Sequence, residues 1–205
     1  MTEPVLLALD LAADPEAWTG LGFAVDEHGV CRVDGVALRL GRPGRTISGW
    51  ALEDVPPGLD IDGLPTMSAP SPATPATHPN GTVAVDHLVV MSPDPTRTIK
   101  ALALRGLQPR RQRKTDMYGP PFTQTFFRLG EPILEVIGPA NPAGPEAARF
   151  YGIAFTVRDL DATAGLLGDR LGRVKDAVQP GRRIATLRRA AGAGVPLAFM
   201  SPEAQ

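Results

Sequence analysis

The sequence predicts an α+β fold assembled from repeated βαβββ modules, and three observations carry that expectation. An apolar strand at 83–91 leads into a helix opened by Asp94 and Pro95, followed by two or three further strands ending at Pro139. The same order of elements recurs between residues 151 and 202. A shorter and more acidic version precedes both, with Asp14 and Pro15 where the later copy has Asp94 and Pro95.

Each element has a local reason. In the first copy, VLLALDL reads as a strand, DPEAW as a helix start, and FAVDEHG, VCRVDG and VALRLGRP as strands, so residues 1–64 form a short acidic βαβββ-like module. Trp18 is expected to pack the short helix onto this module's sheet, and ISGWALEDV adds a strand around Trp50. Residues 65–81, PTMSAPSPATPATHPNG, hold five prolines among small polar residues and read as an extended linker or surface strap. The module at 82–140 opens with TVAVDHLVV. Its helix, TRTIKALALRGL, puts Ile99, Leu102, Ala103 and Leu107 on one face and stops at Gly106. A polar loop, RRQRKTDMYGPP, leads to the strands FTQTFFRL and PILEVIGP. The module at 149–202 repeats this with YGIAFTV, ATAGLLGDRLG, RRIATLRR and VPLAFMSP.

Composition narrows the function. The chain has 205 residues, 43% of them apolar, enough for one sizeable core or two small ones. No run of about 18 apolar residues occurs, and the acidic N-terminus lacks the basic start and apolar stretch of a secretory signal, so a cytoplasmic location without membrane contact is expected. Cys31 is the single cysteine and supports neither a disulfide nor a thiolate metal site. Residues 1–65 carry 11 acids and 4 bases, and residues 66–205 carry 11 acids and 17 bases, so the two parts attract each other. The basic cluster Arg105, Arg110, Arg111, Arg113 and Lys114 lacks interleaved aromatics, which argues against nucleic acid and for a solvated face or a dock for the acidic module. The motifs GxSxG, HExxH, paired CxxC and the phosphate loop are absent.

The segments AVDHLVVMSPDPTRTIKAL, GEPILEVIGP and IAFTVRDLDATAGLL together resemble the vicinal oxygen chelate superfamily, which includes glyoxalase I, bleomycin-resistance and extradiol-dioxygenase groups. The resemblance spans about residues 83–202 and rests on repeat order plus short motifs, so it speaks to fold more than to substrate. It implies two βαβββ modules paired into a curved mixed sheet around a cleft, with helices on the outer face. It also implies a divalent metal such as Fe, Mn, Ni or Zn, bound by residues from the first and last strands of both modules.

Carried onto this sequence, the resemblance puts the first module's ligands at His87 and Glu135, which also become the candidate catalytic residues. Strand alternation would set Val85, His87 and Val89 on one face and Ile133, Glu135 and Ile137 on one face of theirs, with Asp86 on the opposite face, capping or pairing locally. In the second module the matching positions are Gly152 and Phe199, or Ala198 if the register slips by one, and none of these binds a metal. His78, Asp86, Glu131 and His28 are the remaining donors that could complete a site. Tyr118, Phe127, Phe155, Arg182, Arg183 and Phe199 are candidate ligand-binding residues: the phenylalanines as core or cleft wall, the arginines as anion forks or solvated strand starts, and Tyr118 as part of a lid.

Three functions follow. In the first, a metal-dependent lyase, isomerase or dioxygenase works through His87 and Glu135. In the second, a protein of bleomycin-resistance type sequesters or senses a small molecule and uses the same pair as hydrogen-bonding anchors. In the third, a degenerate relative acts as an interaction module, its acidic part docked over the basic one. The partner is a small-molecule ligand or substrate, and the unpaired N-terminal copy either extends the sheet or pairs with its equivalent in a homodimer.

Overall fold

The computed structural model describes residues 3–71, 74–115 and 121–203, and its strands form two sheets. The N-terminal sheet contains β1 (Leu6–Leu11), β2 (Val30–Val33), β3 (Val36–Arg39) and β4 (Ile47–Leu52) in the order β2-β3-β1-β4, with helix α1 (Pro15–Gly20) after β1. Asp14 starts α1 by accepting the backbone N–H of Glu16 at 3.0 Å, and Pro15 fills the first turn, where no donor is needed. The expected strand at 23–29 is a turn with one isolated bridge, Val25 to Cys31. The Asp26 carboxylate accepts the N–H groups of His28 and Val30, both at 2.9 Å, and this local competition curls the backbone away from a ladder. In place of the missing strand, β4 pairs antiparallel with the free side of β1.

The second sheet has eight strands. Its first half comprises β5 (Thr82–Met91), helix α2 (Pro95–Ala103), β6 (Arg111–Thr115), β7 (Phe122–Arg128) and β8 (Ile133–Pro139). Its second half comprises β9 (Arg149–Val157), helix α3 (Leu160–Leu167), β10 (Lys175–Asp176), β11 (Arg183–Thr186) and β12 (Leu197–Met200). The order is β10-β11-β12-β9-β5-β8-β7-β6, with β5 and β9 antiparallel at the centre. Each opening strand lies parallel to the closing strand of its own half, β5 to β8 and β9 to β12, and the helices provide the crossovers that parallel pairing requires. Each half is therefore a βαβββ unit, and the two halves are related by a pseudo-twofold axis between β5 and β9. The segment expected as a polar loop begins as β6. This strand has no apolar alternation because it is a sheet edge, joined to β7 by backbone pairing from Arg111–Phe126 to Thr115–Phe122.

One face of the large sheet is covered and the other is open. Leu88, Val90, Phe127, Leu134, Val136, Phe155 and Phe199 point to the covered face, where they form one core with Leu102 of α2, Leu160 and Leu167 of α3 and the N-terminal sheet. Aromatic contacts make the join: Phe23 lies 5.3 Å from Phe155 and 6.1 Å from Phe199, and Trp50 lies 5.3 Å from Phe150 (ring centroids). Trp18 stacks on Phe23 at 4.6 Å and donates its indole N–H to Ala193 O at 3.0 Å, so it packs against the second βαβββ unit as well as its own sheet. Among the described residues, the charge asymmetry contributes at two contacts, Arg97 to Asp62 and Arg110 to Glu3, both 2.7 Å.

The proline-rich segment is a strap pinned to the N-terminal sheet. Met67 N–H donates to Trp50 O at 2.7 Å and Ala76 N–H to Arg32 O at 3.1 Å. His78, buried, accepts the Ala24 N–H on Nδ1 at 3.0 Å and donates from Nε2 to Arg32 O at 3.1 Å. Asn80, Gly81 and Thr82 form the turn into β5, with Asn80 Oδ1 accepting Thr82 N–H at 3.0 Å. Cys31 is buried under this sheet, where burial first and the Asp26 charge second push its thiol up to about 12. Among the described residues, no helix is long and apolar enough to cross a membrane.

Candidate functional site

The open face of the large sheet gathers polar side chains in its middle because β5 is irregular. Its register against β9 shifts between Val85 and His87, where Asp86 is the extra residue of a bulge. The bulge cancels one step of alternation: Val85, Leu88 and Val90 are buried in the core, whereas Asp86 and His87 both reach the open side. The expectation that Val85 shares the face of His87, with Asp86 opposite, is corrected by this shift. As a result Asp86 Oδ1 lies 2.8 Å from His87 Nδ1, a contact between sequence neighbours that a regular strand does not allow.

A row of polar groups crosses the open face from these two residues. On one side, Arg182 Nη2 donates to Asp86 Oδ2 at 2.5 Å, and Thr156 Oγ1 donates to the same oxygen at 2.9 Å. Arg182 is anchored in turn by Nε donating to Ser201 O at 2.9 Å. On the other side, His87 Nε2 faces Glu135 Oε2 at 3.9 Å, beyond hydrogen-bonding distance. Gln124 Nε2 donates to Glu135 Oε1, and Arg113 Nε donates to Gln124 Oε1. Arg113 also lies over the Phe126 ring, 5.7 Å from its centroid. Burial would raise the Asp86 carboxyl, but the hydrogen bonds from His87 and Arg182 and the adjacent positive charge outweigh it and bring the group down to about 2.

The remaining expected residues are placed elsewhere. Phe127, Phe155 and Phe199 are buried in the core on the covered face and line no part of the cleft. Arg183 points away from the row and forks onto Asp161 of α3, at 3.0 and 2.8 Å. Arg182 is in the row, but its charge is already paired with Asp86. Tyr118 lies outside the described residues. Gln124 and Arg113 were not foreseen; the alternation FTQTFFR put Gln124 on the face of Phe122 and Phe126, and that was the one signal available.

A catalytic divalent ion usually takes three protein ligands and keeps one open position, and the donors here do not fit that need. His87 Nε2 and Glu135 Oε2 are two. Ala154 pairs with His87 on β5 and with Ala198 on β12, so the second half offers no ligating side chain beside the pair. At Gly152 a Cβ would stand 2.7 Å from Pro196 O, so the backbone occupies the place of any side chain. Asp86 is committed to His87, Thr156 and Arg182, and the Arg182 cation sits where further carboxylates would be needed. His78 is tied to the strap, and His28 and Glu131 are exposed outside the row. Among the described residues, no three His, Cys, Asp or Glu side chains converge as a metal-ligand set.

Beside the row lies an apolar cavity of about 660 Å³, lined by Met91, Phe122 and Ile137 with Pro93, Pro121 and Ala147 among its other walls. Val89 pairs with Glu135, and Met91 pairs with Ile137, one pleat period farther along the same two strands. On β7, Phe122 likewise stands two residues from Gln124. On β8 and β7 the step from polar row to cavity, Glu135 to Ile137 and Gln124 to Phe122, is one pleat period of about 7 Å in the same direction, whereas on β5 Val89 lies between His87 and Met91 and the step is two periods, about 14 Å.

No family model matches the chain, and no curated protein matches it. Solved structures do. A triple mutant of 4-hydroxymandelate synthase from Streptomyces coelicolor matches with TM-score 0.65 and 13% identity over 98% of this chain and 93% of that one. A xylose isomerase-like TIM barrel/4-hydroxyphenylpyruvate dioxygenase fusion protein matches with TM-score 0.61 and 12% identity over 98% of this chain and 49% of that one. Methylmalonyl-CoA epimerase from Mycobacterium tuberculosis matches with TM-score 0.49 and 16% identity over 60% of this chain and 91% of that one. The two longer matches show that the chain has the vicinal oxygen chelate fold.

Proposed function

We propose that this protein binds a small molecule on the open face of its eight-stranded sheet, with the ligand's polar head at His87 and Glu135 and its apolar body in the adjoining cavity. The observation that carries this reading is the continuity of the two regions along β5, β7 and β8. Binding sites for small molecules combine an apolar enclosure with a few fixed polar groups, and both are present here side by side. Sequestration or sensing is favoured over metal-dependent lyase, isomerase or dioxygenase chemistry, because the site offers two metal donors where catalysis calls for about three.

A second reading rests on the Asp86–His87 contact. A carboxylate on Nδ1 holds the imidazole in one orientation and leaves Nε2 as a proton acceptor facing the cleft, the arrangement of a general base. Proton transfer on a bound ligand without a metal is the enzymatic function that this geometry supports.

The test is a thermal-shift screen of small amphipathic molecules on the wild type and on Met91→Trp, which fills the cavity without touching the row. Stabilisation at millimolar ligand that disappears in Met91→Trp supports the cleft as the site. Ligands that stabilise both proteins equally count against it. For the second reading, loss of an acidic C–H from a bound ligand, followed as exchange in D2O, should stop in His87→Ala even at ligand concentrations that saturate that variant.

A further inference from the structure

The end of the cavity away from the polar row is cationic, which bears on the class of ligand it suits; the inference rests on the cleft being a ligand site. Among the described residues of the lining, Glu146 and Arg149 carry the charge, and Met91, Phe122, Ile137 and the prolines carry none. Arg149 opens β9 and pairs with Met91 on β5, so it stands about 14 Å along the sheet from His87. The wall that precedes it is clamped. Arg97 donates Nη2 to Glu146 O at 2.5 Å and Nη1 to Pro145 O at 3.4 Å, and Ala148 N–H donates to Asp62 O at 2.9 Å. Arg97 is raised above the ordinary arginine value first by its bond to Asp62 and in smaller part by the Glu146 charge, so Glu146 already faces a cation.

Arg149 has no such counterion. Among the described residues its one hydrogen bond runs from Nη2 to Met91 Sδ at 3.5 Å, a weak acceptor, and it enters no ion pair. This contact lays the guanidinium against a cavity wall with its other N–H donors unused. A guanidinium takes a planar oxyanion through two parallel hydrogen bonds. We propose that the cleft recognises an amphipathic monocarboxylate, its carboxylate forked on Arg149, its apolar body between Met91, Phe122 and Ile137, and its far end directed at His87 and Glu135. The apolar body is removed from water, and the apolar walls strengthen the ion pair at its end. One guanidinium balances one negative charge, and Glu146 in the same lining opposes a second, so a doubly charged phosphate ester suits the cavity less well. The carboxylate belongs at the Arg149 end because Glu135 puts a carboxylate of its own at the other.

The experiment compares four eight-carbon probes by isothermal titration: octanoate, octyl phosphate, 1-octanol and octylammonium, on the full chain and on Arg149→Gln and Met91→Trp. The proposal expects octanoate to bind at least about tenfold more tightly than octanol or octylammonium, and more tightly than octyl phosphate. In Arg149→Gln octanoate should fall to the level of octanol while octanol itself is unchanged, and in Met91→Trp all binding should vanish. If octanol or octylammonium binds as well as octanoate, or if the octanoate margin survives in Arg149→Gln, the assignment of Arg149 is overturned while the cleft reading stands. If octyl phosphate binds more tightly than octanoate, the carboxylate is overturned as the head group. If no probe binds, or if binding is unchanged in Met91→Trp, the cleft reading fails and the assignment with it. Should Met91→Trp not fold, the four-probe comparison on the wild type and on Arg149→Gln decides alone.

Discussion

Asp86 looks from its sequence like a strand-end carboxylate, yet it anchors the row. Its side chain is 9% exposed and is held by Arg182, itself 7% exposed. Removing one partner of a buried pair leaves the other charge uncompensated, so Arg182→Met is expected to cost about 3 kcal/mol in chemical denaturation. Acid should reveal the same pairing. The folded group sits at about 2 against an ordinary 3.8, so its contribution is complete above pH 3.8 and is lost as pH falls through 2. This part of the acid denaturation profile should be smaller in Arg182→Met, which removes the Arg182 bond and charge but leaves the hydrogen bond from His87. His78 behaves in the same sense at milder pH. Burial lowers its ring from the usual 6.5 despite the opposing bond to Arg32 O, and Nδ1 can accept the Ala24 N–H when it carries no proton. Stability from His78 is therefore full above pH 6.5 and declines below it. Melting temperature measured between pH 7.5 and 5 should fall, and His78→Gln, which keeps an acceptor but does not titrate, should flatten the slope.

Among the elements, the strand that opens each half does most to shape the site. β5 carries the bulge that brings Asp86 and His87 together, and β9 carries Gly152, whose missing side chain lets the backbone at Pro196 close in. Gly152→Ala should cost about 1–3 kcal/mol in equilibrium unfolding, because the new Cβ has to displace Pro196 O. A smaller cost would show that β9 has slack there. These elements also show how far the sequence could be read. β5, β7, β8, β9 and both long helices were legible because each had an apolar alternation, or an Asp cap followed by an apolar stripe. The edge strand β6 was not legible, since RQRKT is polar on both faces and is held by its neighbour's backbone. The bulge was not legible either, because alternation assumes a period of two and one inserted residue reverses it. His87 and Glu135 could be named without knowing the bulge. Their supports Arg182, Asp86 and Gln124 could not be assigned, because those contacts depend on which face each side chain takes.

At the scale of the molecule, the acidic N-terminal sheet is part of the second sheet's core. Phe23 inserts between Trp18, Phe155 and Phe199, and it is 1% exposed. Phe23→Ala should lower stability by about 3–5 kcal/mol in denaturant unfolding, a cost typical of emptying an aromatic site. Charge asymmetry suggested an electrostatic dock, whereas the contact is mainly aromatic with two ion pairs beside it, so high salt should weaken the chain only slightly. By covering one face of the large sheet, the N-terminal sheet and the helices leave the other as the surface on which a ligand can meet both the polar row and the cavity. Methionine provides a direct probe of that surface: Met91 lines the cavity, Met67 lies in the strap, and Met200 is buried on β12. With the methionine methyl groups labelled with carbon-13, titration of any hit from the thermal screen should move the Met91 resonance and leave Met67 and Met200 in place. Saturable movement of Met67 or Met200 with Met91 unmoved would contradict the assignment of the open face as the binding site.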